Sequence, residues 1–149
     1  MTNHASYSSA QQDAEEAMLS GLVSKLGLQF EKPVFSNPIS ETLQPDAIDL
    51  KRRVLVEVYP YIGKLNGSQS QKVRSDVIKF LFTEEKLGGS WRKVLCFADN
   101  KAAQIVQDET WIGKATKEIA AEVYVIPLPK KLKQKVLAAQ KRKKRKKAK

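Results

Sequence analysis

Apolar residues recur at helical spacing from about Gln11 to Leu26, at Ala14, Ala17, Met18, Leu22 and Leu26. That stripe predicts an amphipathic helix. Asp13, Glu15 and Glu16 fall in its first turns, where the helix dipole favours acids, and Gly27 stops it. Residues 31–44 hold Pro33 and Pro38 among Ser and Asn and read as a loop with a short extended piece at Val34–Phe35. After Pro45 the period changes. Ala47 to Leu50 is short and β-compatible, and Lys51-Arg52-Arg53 is a charged turn. Val54 to Tyr59 then alternates, with Val54, Val56 and Val58 on one face and Leu55, Glu57 and Tyr59 on the other. Together they predict an antiparallel hairpin.

Residues 60–67 (PYIGKLNG) are broken by Pro and Gly and form a loop. Ser68 and Gln71 match a capping box, which starts a helix running to about Leu87, before Gly88-Gly89. Its core stripe is Val73, Val77, Phe80 and Leu81; Lys72, Asp76 and Lys79 form a neighbouring stripe. Arg92 to Ala98 is apolar on both faces, as a central strand must be. Asp99-Asn100 caps a short helix around Ala102–Gln107. Thr110 to Ala121 gives another, with Trp111, Ile112, Ala115, Ile119 and Ala120 as its buried side, and Val123 to Leu128 is a further strand. The class is α/β: a central mixed sheet of about four strands flanked by helices, in the order αββαβαβ.

Composition changes this picture at the C-terminus. Residues 130–149 hold 12 of the 27 Lys and Arg and none of the 16 acids, so residues 1–129 carry 15 basic against 16 acidic groups, a net of −1. The organisation predicted is a disordered leader (1–10), one α/β domain (11–129) and a polybasic tail (130–149), removable after Pro129 without loss of folding. A single cysteine, Cys96, in an apolar run, and a single histidine, His4, exclude an internal disulfide and a Cys/His zinc site. No apolar run approaches the roughly 20 residues of a membrane span, and no signal peptide opens the chain. A cytoplasmic location is expected, or a nuclear one in a eukaryote.

Acids stand where the chain is otherwise most apolar, at Asp46, Asp49 and Glu57. Carboxylates on core strands are costly unless paired, hydrogen-bonded or bound to a metal. Two carboxylates on neighbouring strands can meet at one Mg²⁺ beside a scissile phosphate, with a cation to offset charge in the transition state. Bland readings stand beside this one. Asp46 after Pro45 also suits a turn, Asp49 a solvent-facing strand position, Glu57 an edge position or a salt bridge to Lys72, and Lys72, Asp76 and Lys79 a solvated stripe.

Pro45-Asp46, ten intervening residues, then Glu57-Val58-Tyr59 resembles the PD-(D/E)xK nuclease superfamily, the restriction-endonuclease-like fold. The resemblance implies a metal-dependent endonuclease hydrolysing phosphodiester bonds, with Mg (or Mn) on Asp46 and Glu57 and with Asp49 as the reserve ligand. The superfamily's strand lysine falls on Tyr59 here. In some relatives that cation comes from the following helix, which points to Lys72, with Lys64 in the loop as an alternative. Gln69, Gln71 and, from the first helix, Glu16 are possible helpers. A strand Glu, a Gly-containing loop and a helix Asp with a cation three residues on also resemble the very-short-patch-repair-like branch, whose histidine near the start of this helix has no counterpart.

The run Lys141, Arg142, Lys143, Lys144, Arg145, Lys146 and Lys147 binds polyanions without reading sequence, so nucleic acid is the expected partner, DNA before RNA. An import signal, an anionic membrane surface or a solubilising extension are the other uses of such a run. The alternative function is a non-catalytic nucleic-acid-binding or interaction module on the same fold. A structural protein of the ribosome or another assembly is a third, resting on the tail alone.

Overall fold

The hairpin forms as its pattern predicts. In the computed structural model, which describes residues 5–31 and 45–148 (side chains over 9–31 and 45–144), strand β1 is Ala47–Asp49 and β2 is Val54–Tyr59. They pair antiparallel with Ile48 opposite Leu55. Arg53 closes the turn with a φ of 59°. Its guanidinium donates to the carbonyls of Gly88 and Ser90 and lies 4.6 Å over the Trp91 ring, so the turn is tied to the entry of the next strand. From β2 the sheet continues parallel through β3 (Arg92–Phe97) to β4 (Glu122–Val125), in the order β1-β2-β3-β4.

Parallel neighbours need crossovers, and helices supply them on the faces of the sheet. Helix α1 (Ala5–Leu26) precedes β1, α2 (Gly67–Leu87) joins β2 to β3, α3 (Asn100–Gln107) and α4 (Trp111–Glu118) join β3 to β4, and α5 (Lys130–Ala148) follows β4. The fold is therefore α/β, a four-stranded mixed sheet flanked by helices. Leu55, Tyr59, Leu95 and Phe97 meet α2, α3 and α4 through Val73, Val77, Phe80, Val106 and Ile112. Val54, Val56, Val58, Val94 and Cys96 meet Ala14, Met18 and Leu22 of α1 and Val136 of α5. Buried on both sides, β3 reads as a continuous apolar run. Met18 and Leu22 are fully enclosed, each stabilising by about 1.5–3 kcal/mol. Gly21 lets α1 approach closely, since a Cβ there would stand 2.6 Å from Ile126 Cγ2.

Several boundaries differ from the sequence reading. Helix α1 starts at Ala5, so residues 5–10 of the expected disordered leader are helical, and Asp13, Glu15 and Glu16 lie in its interior. No Pro or Gly interrupts that extension, and Ala10 is already buried. Ser68 is not a cap: α2 starts one residue earlier, with Asn66 at the N-cap position and no side-chain cap. Its inward stripe is Val73, Asp76, Val77, Phe80 and Thr83, while Leu81 is exposed. The buried face is thus rotated toward Asp76. Trp111, expected in the core, is 62% exposed, because Thr110 caps α4 (Oγ1 accepts from Gly113 N at 3.2 Å) and starts the helix with that side chain outward. Ala120 is exposed too, with a φ of 57°, past the end of α4. The expected strand Val123–Leu128 is Glu122–Val125. The extended piece at Val34–Phe35 lies outside the described residues.

The largest correction concerns the tail. Lys130–Ala148 is a helix, and its weak apolar face docks, with Val136 and Ala139 buried and Leu132 packed against the α1 side of the core. Gln140 fixes the end of that contact: its Oε1 accepts from Ile62 N at 2.9 Å and its Nε2 donates to Ile62 O at 3.0 Å. The domain therefore does not end at residue 129. Among the described residues no helix is long and apolar enough to cross a membrane.

Candidate functional site

The hairpin register decides which acids meet. Ala47 lies opposite Val56, so Asp46, one step before β1, arrives beside Glu57. The Asp46 carboxylate is anchored there, accepting from Val58 N at 2.9 Å. Glu57 points to the α2 face with Leu55 and Tyr59 and is fully buried. Asp76, one of the inward residues of α2, is buried directly above. It accepts the Tyr59 phenol proton at 2.9 Å and faces Lys72 Nζ at 3.1 Å. Lys79, one turn further on, reaches both strand and helix acids, 2.6 Å from Glu57 Oε1 and 3.3 Å from Asp76 Oδ1. Lys72 also lies 4.8 Å over the Tyr59 ring.

Electrostatics follow from this packing. Burial, then the Asp46 and Asp76 charges, then the contact with the Asp46 carboxyl, push Glu57 up to about 9, against the pull of Lys79. Out of water and beside other carboxylates, Glu57 cannot ionise cheaply, so it retains its proton unless another cation replaces it. Burial disfavours the charged lysines, but the surrounding carboxylates outweigh it and raise both Lys72 and Lys79, which stay protonated. Burial and Asp76 push the Tyr59 phenol upward as well. Glu15 joins from α1, raised by burial and by Asp46. The cluster thus sets four carboxyls (Glu15, Asp46, Glu57, Asp76) against two ammonium groups. Neither Glu57 oxygen accepts a well-formed hydrogen bond. A buried Glu57 beside an exposed Asp46 carboxylate, in acid-rich surroundings, offers oxygens to a hard divalent cation, and Mg²⁺ is commonly held by one or two carboxylates, its other positions going to water and phosphate. Among the described residues no group of three or more His, Cys, Asp or Glu side chains is placed to hold one metal ion.

Of the residues singled out from the sequence, Asp46, Glu57 and Lys72 come together. Asp49 does not. It faces the opposite side of the sheet, opposite Val54, where its carboxylate accepts from Gln29 N, Arg52 N (both 2.8 Å) and Arg52 Nη1 (3.2 Å). Burial alone would raise it, but those bonds hold it below the usual carboxylate range. It is a turn anchor rather than a reserve ligand. Glu16 is exposed, and its neighbour Glu15 is the α1 acid at the site, with Gln11 Nε2 donating to it at 3.3 Å. Gln71 is exposed, as is Lys64, whereas Gln69 faces a cavity beside the carboxylates. That cavity, about 250 Å³, shares Tyr59 and Lys72 with the cluster and is also lined by Gln11, Tyr61, Leu65 and Lys143. Lys141, Arg142, Lys143 and Lys144 are exposed on the last turns of α5; for Arg145, Lys146 and Lys147 the helical backbone is described.

Sequence reasoning placed Lys79 and Asp76 on a shared stripe but gave the cation's role to Lys72, with Lys64 as the alternative. The signal that favours Lys79 is its phase: three residues after Asp76, it is nearer the buried face of α2 than Lys72, with 15% of its side chain exposed against 49%. Comparison with models of known protein families, with curated proteins and with solved structures returned no match.

Proposed function

We propose that this chain is a metal-dependent nuclease on a restriction-endonuclease-like core, hydrolysing phosphodiester bonds in nucleic acid. The observation carrying the proposal is Glu57, fully buried and answered by Lys79 at 2.6 Å, set beside the exposed Asp46 carboxylate and sharing Tyr59 and Lys72 as neighbours with an adjacent cavity. An antiparallel edge hairpin bearing both acids, then a helix and parallel strands, agrees with the fold assignment. Asp46 and Glu57 would hold Mg²⁺ or Mn²⁺, which when bound polarises phosphate and lowers the pKa of water. Val58 N fixes the Asp46 carboxylate, and Lys79 keeps Glu57 turned toward it. Lys72, half exposed at the cleft, is placed to offset phosphate charge, and Asp76 with Tyr59 holds it there. The basic end of α5 would capture the backbone without reading sequence.

The second reading, a binding module without catalysis, draws on Tyr59, which is buried and bonded to Asp76 where a strand lysine would otherwise stand. One assay separates the two. The full chain is incubated with plasmid, single-stranded DNA and RNA, under Mg²⁺, Mn²⁺ or EDTA. The nuclease reading expects cleavage with metal, none in EDTA, and a loss of about a hundredfold or more in Glu57→Gln and Asp46→Asn. Binding without cleavage under any metal would sink it.

A further inference from the structure

The cavity beside the carboxylates has a lining unlike theirs. Tyr61 and Leu65 supply apolar wall, Gln11 and Gln69 face it from α1 and α2, and Lys72 and Lys143 flank it from α2 and α5. None of the described residues lining it is acidic. The Gln69 amide oxygen is buried and accepts no hydrogen bond, an arrangement that costs about 1–3 kcal/mol unless a donor fills it. A neutral, flat body with donor edges and an attached anion answers all of these features. We propose that this cavity holds the base of a single unpaired nucleotide, with Gln69 accepting from a base N–H group and Lys72 and Lys143 meeting the adjoining phosphates.

Size and position both support that ligand. A volume of about 250 Å³ admits one nucleotide and not a duplex, whose major groove alone is roughly 12 Å wide. Proteins that read unstacked bases use this combination of an aromatic wall, an amide and bordering cations. Because Tyr59 and Lys72 belong to both places, a base in the cavity sets a neighbouring phosphate beside Asp46 and Glu57. The substrate class would then be nucleic acid with an unpaired, terminal or flipped nucleotide. A second hollow of about 310 Å³ between α1 and α5 makes a useful contrast: the described residues lining it are Asp13, Lys135 and Arg142 among small residues, with no aromatic ring among them.

The assignment rests on the nucleic-acid reading of the site, but its test needs neither metal nor turnover. The full chain is titrated in EDTA with each 5′-mononucleotide, and with ribose 5-phosphate as the baseless control, while amide and aromatic resonances are followed by NMR. The expectation is saturable shifts at Gln69, Tyr61 and Leu65 with at least one mononucleotide and none there with ribose 5-phosphate. In Gln69→Leu, checked for an unchanged melting temperature, mononucleotide affinity should fall about fivefold or more, and a short single strand should lose its advantage over a blunt duplex. Shifts confined to α5, equal response to ribose 5-phosphate, or undiminished binding in Gln69→Leu would each overturn the assignment. A protein that binds nucleotides here yet cleaves nothing would refute the nuclease while leaving the base site standing. A metal-dependent nuclease whose cavity stays empty would do the reverse.

Discussion

Glu57→Gln should make this protein more stable at neutral and alkaline pH. Unfolded, Glu57 titrates near 4.5; folded, it is held up to about 9. A group raised on folding contributes its full stability below the unfolded value and loses it as pH climbs through the folded one. At pH 7 the interval passed is about 2.5 pH units at 1.36 kcal/mol each, so the wild-type carboxyl costs about 3 kcal/mol relative to acid pH. By pH 9 the figure approaches about 6 kcal/mol. A glutamine has no such cost. Its oxygen can accept from Lys79 and its amide N–H can face Asp46, in place of the proton that Glu57 retains. For a chain of this size about 3 kcal/mol corresponds to a rise of roughly 6–12 °C in Tm. Denaturant melts of both proteins from pH 4 to pH 9, in EDTA, measure it directly. The two curves should meet near pH 4 and diverge steadily above 5. A variant equal to or weaker than wild type at pH 8, or a gap that does not vary with pH, would show Glu57 ionised against Lys79 and refute the reasoning. Saturating Mg²⁺ should then narrow the gap, because wild type alone gains binding energy, about 2.7 kcal/mol at a hundredfold excess over Kd.

Lys79→Met keeps the packing but leaves Glu57 and Asp76 without their shared cation. The loss, read by the same melts, should be about 1–2 kcal/mol and flat below about pH 8, growing only above pH 9, where wild-type Glu57 ionises against Lys79 and the variant's carboxyl stays protonated. Asp49→Ala strips the acceptor from Gln29 N and Arg52 N and should lower stability by about 2 kcal/mol, with cleavage per folded molecule unchanged; a selective loss of activity would restore it to the site. Ending the chain after Pro129 should impair folding by uncovering Val54, Val56 and Met18, seen as a lower Tm or insolubility. Ending it after Gln140 should preserve folding and remove eight cations, with weaker DNA binding and a shallower salt dependence. Unchanged affinity at low salt in that shorter chain would leave the arm no role in capture.

How much of this was legible depended on whether local pattern or tertiary docking decided the outcome. The hairpin was, because strict alternation over Val54–Tyr59 and an Asp46–Glu57 separation spanning one turn fix both the faces and the register. The phase of α2 was legible only to within one stripe. Leu81 and Asp76 compete for the buried side, and a hydrophobic count chooses Leu81, since it cannot know that Tyr59 and Lys72 will satisfy a buried Asp76. That same small rotation carries Lys79 inward to Glu57. The helical docking of α5 was illegible for a different reason. Its apolar positions are sparse, and its charge predicts disorder in isolation, so its structure depends on a surface assembled by α1 and the sheet from far earlier in the chain. The consequence is mechanical. Because Gln140 grips the Ile62 backbone, the basic run does not wander from the body but leaves it at a fixed point, with Lys143 at the rim of the cavity that Tyr59 and Lys72 share with the carboxylates. A flexible tail would raise local substrate concentration and nothing more. Under the proposed nuclease reading, a helix clamped there would also set the direction from which a phosphate backbone enters, making capture and positioning one act.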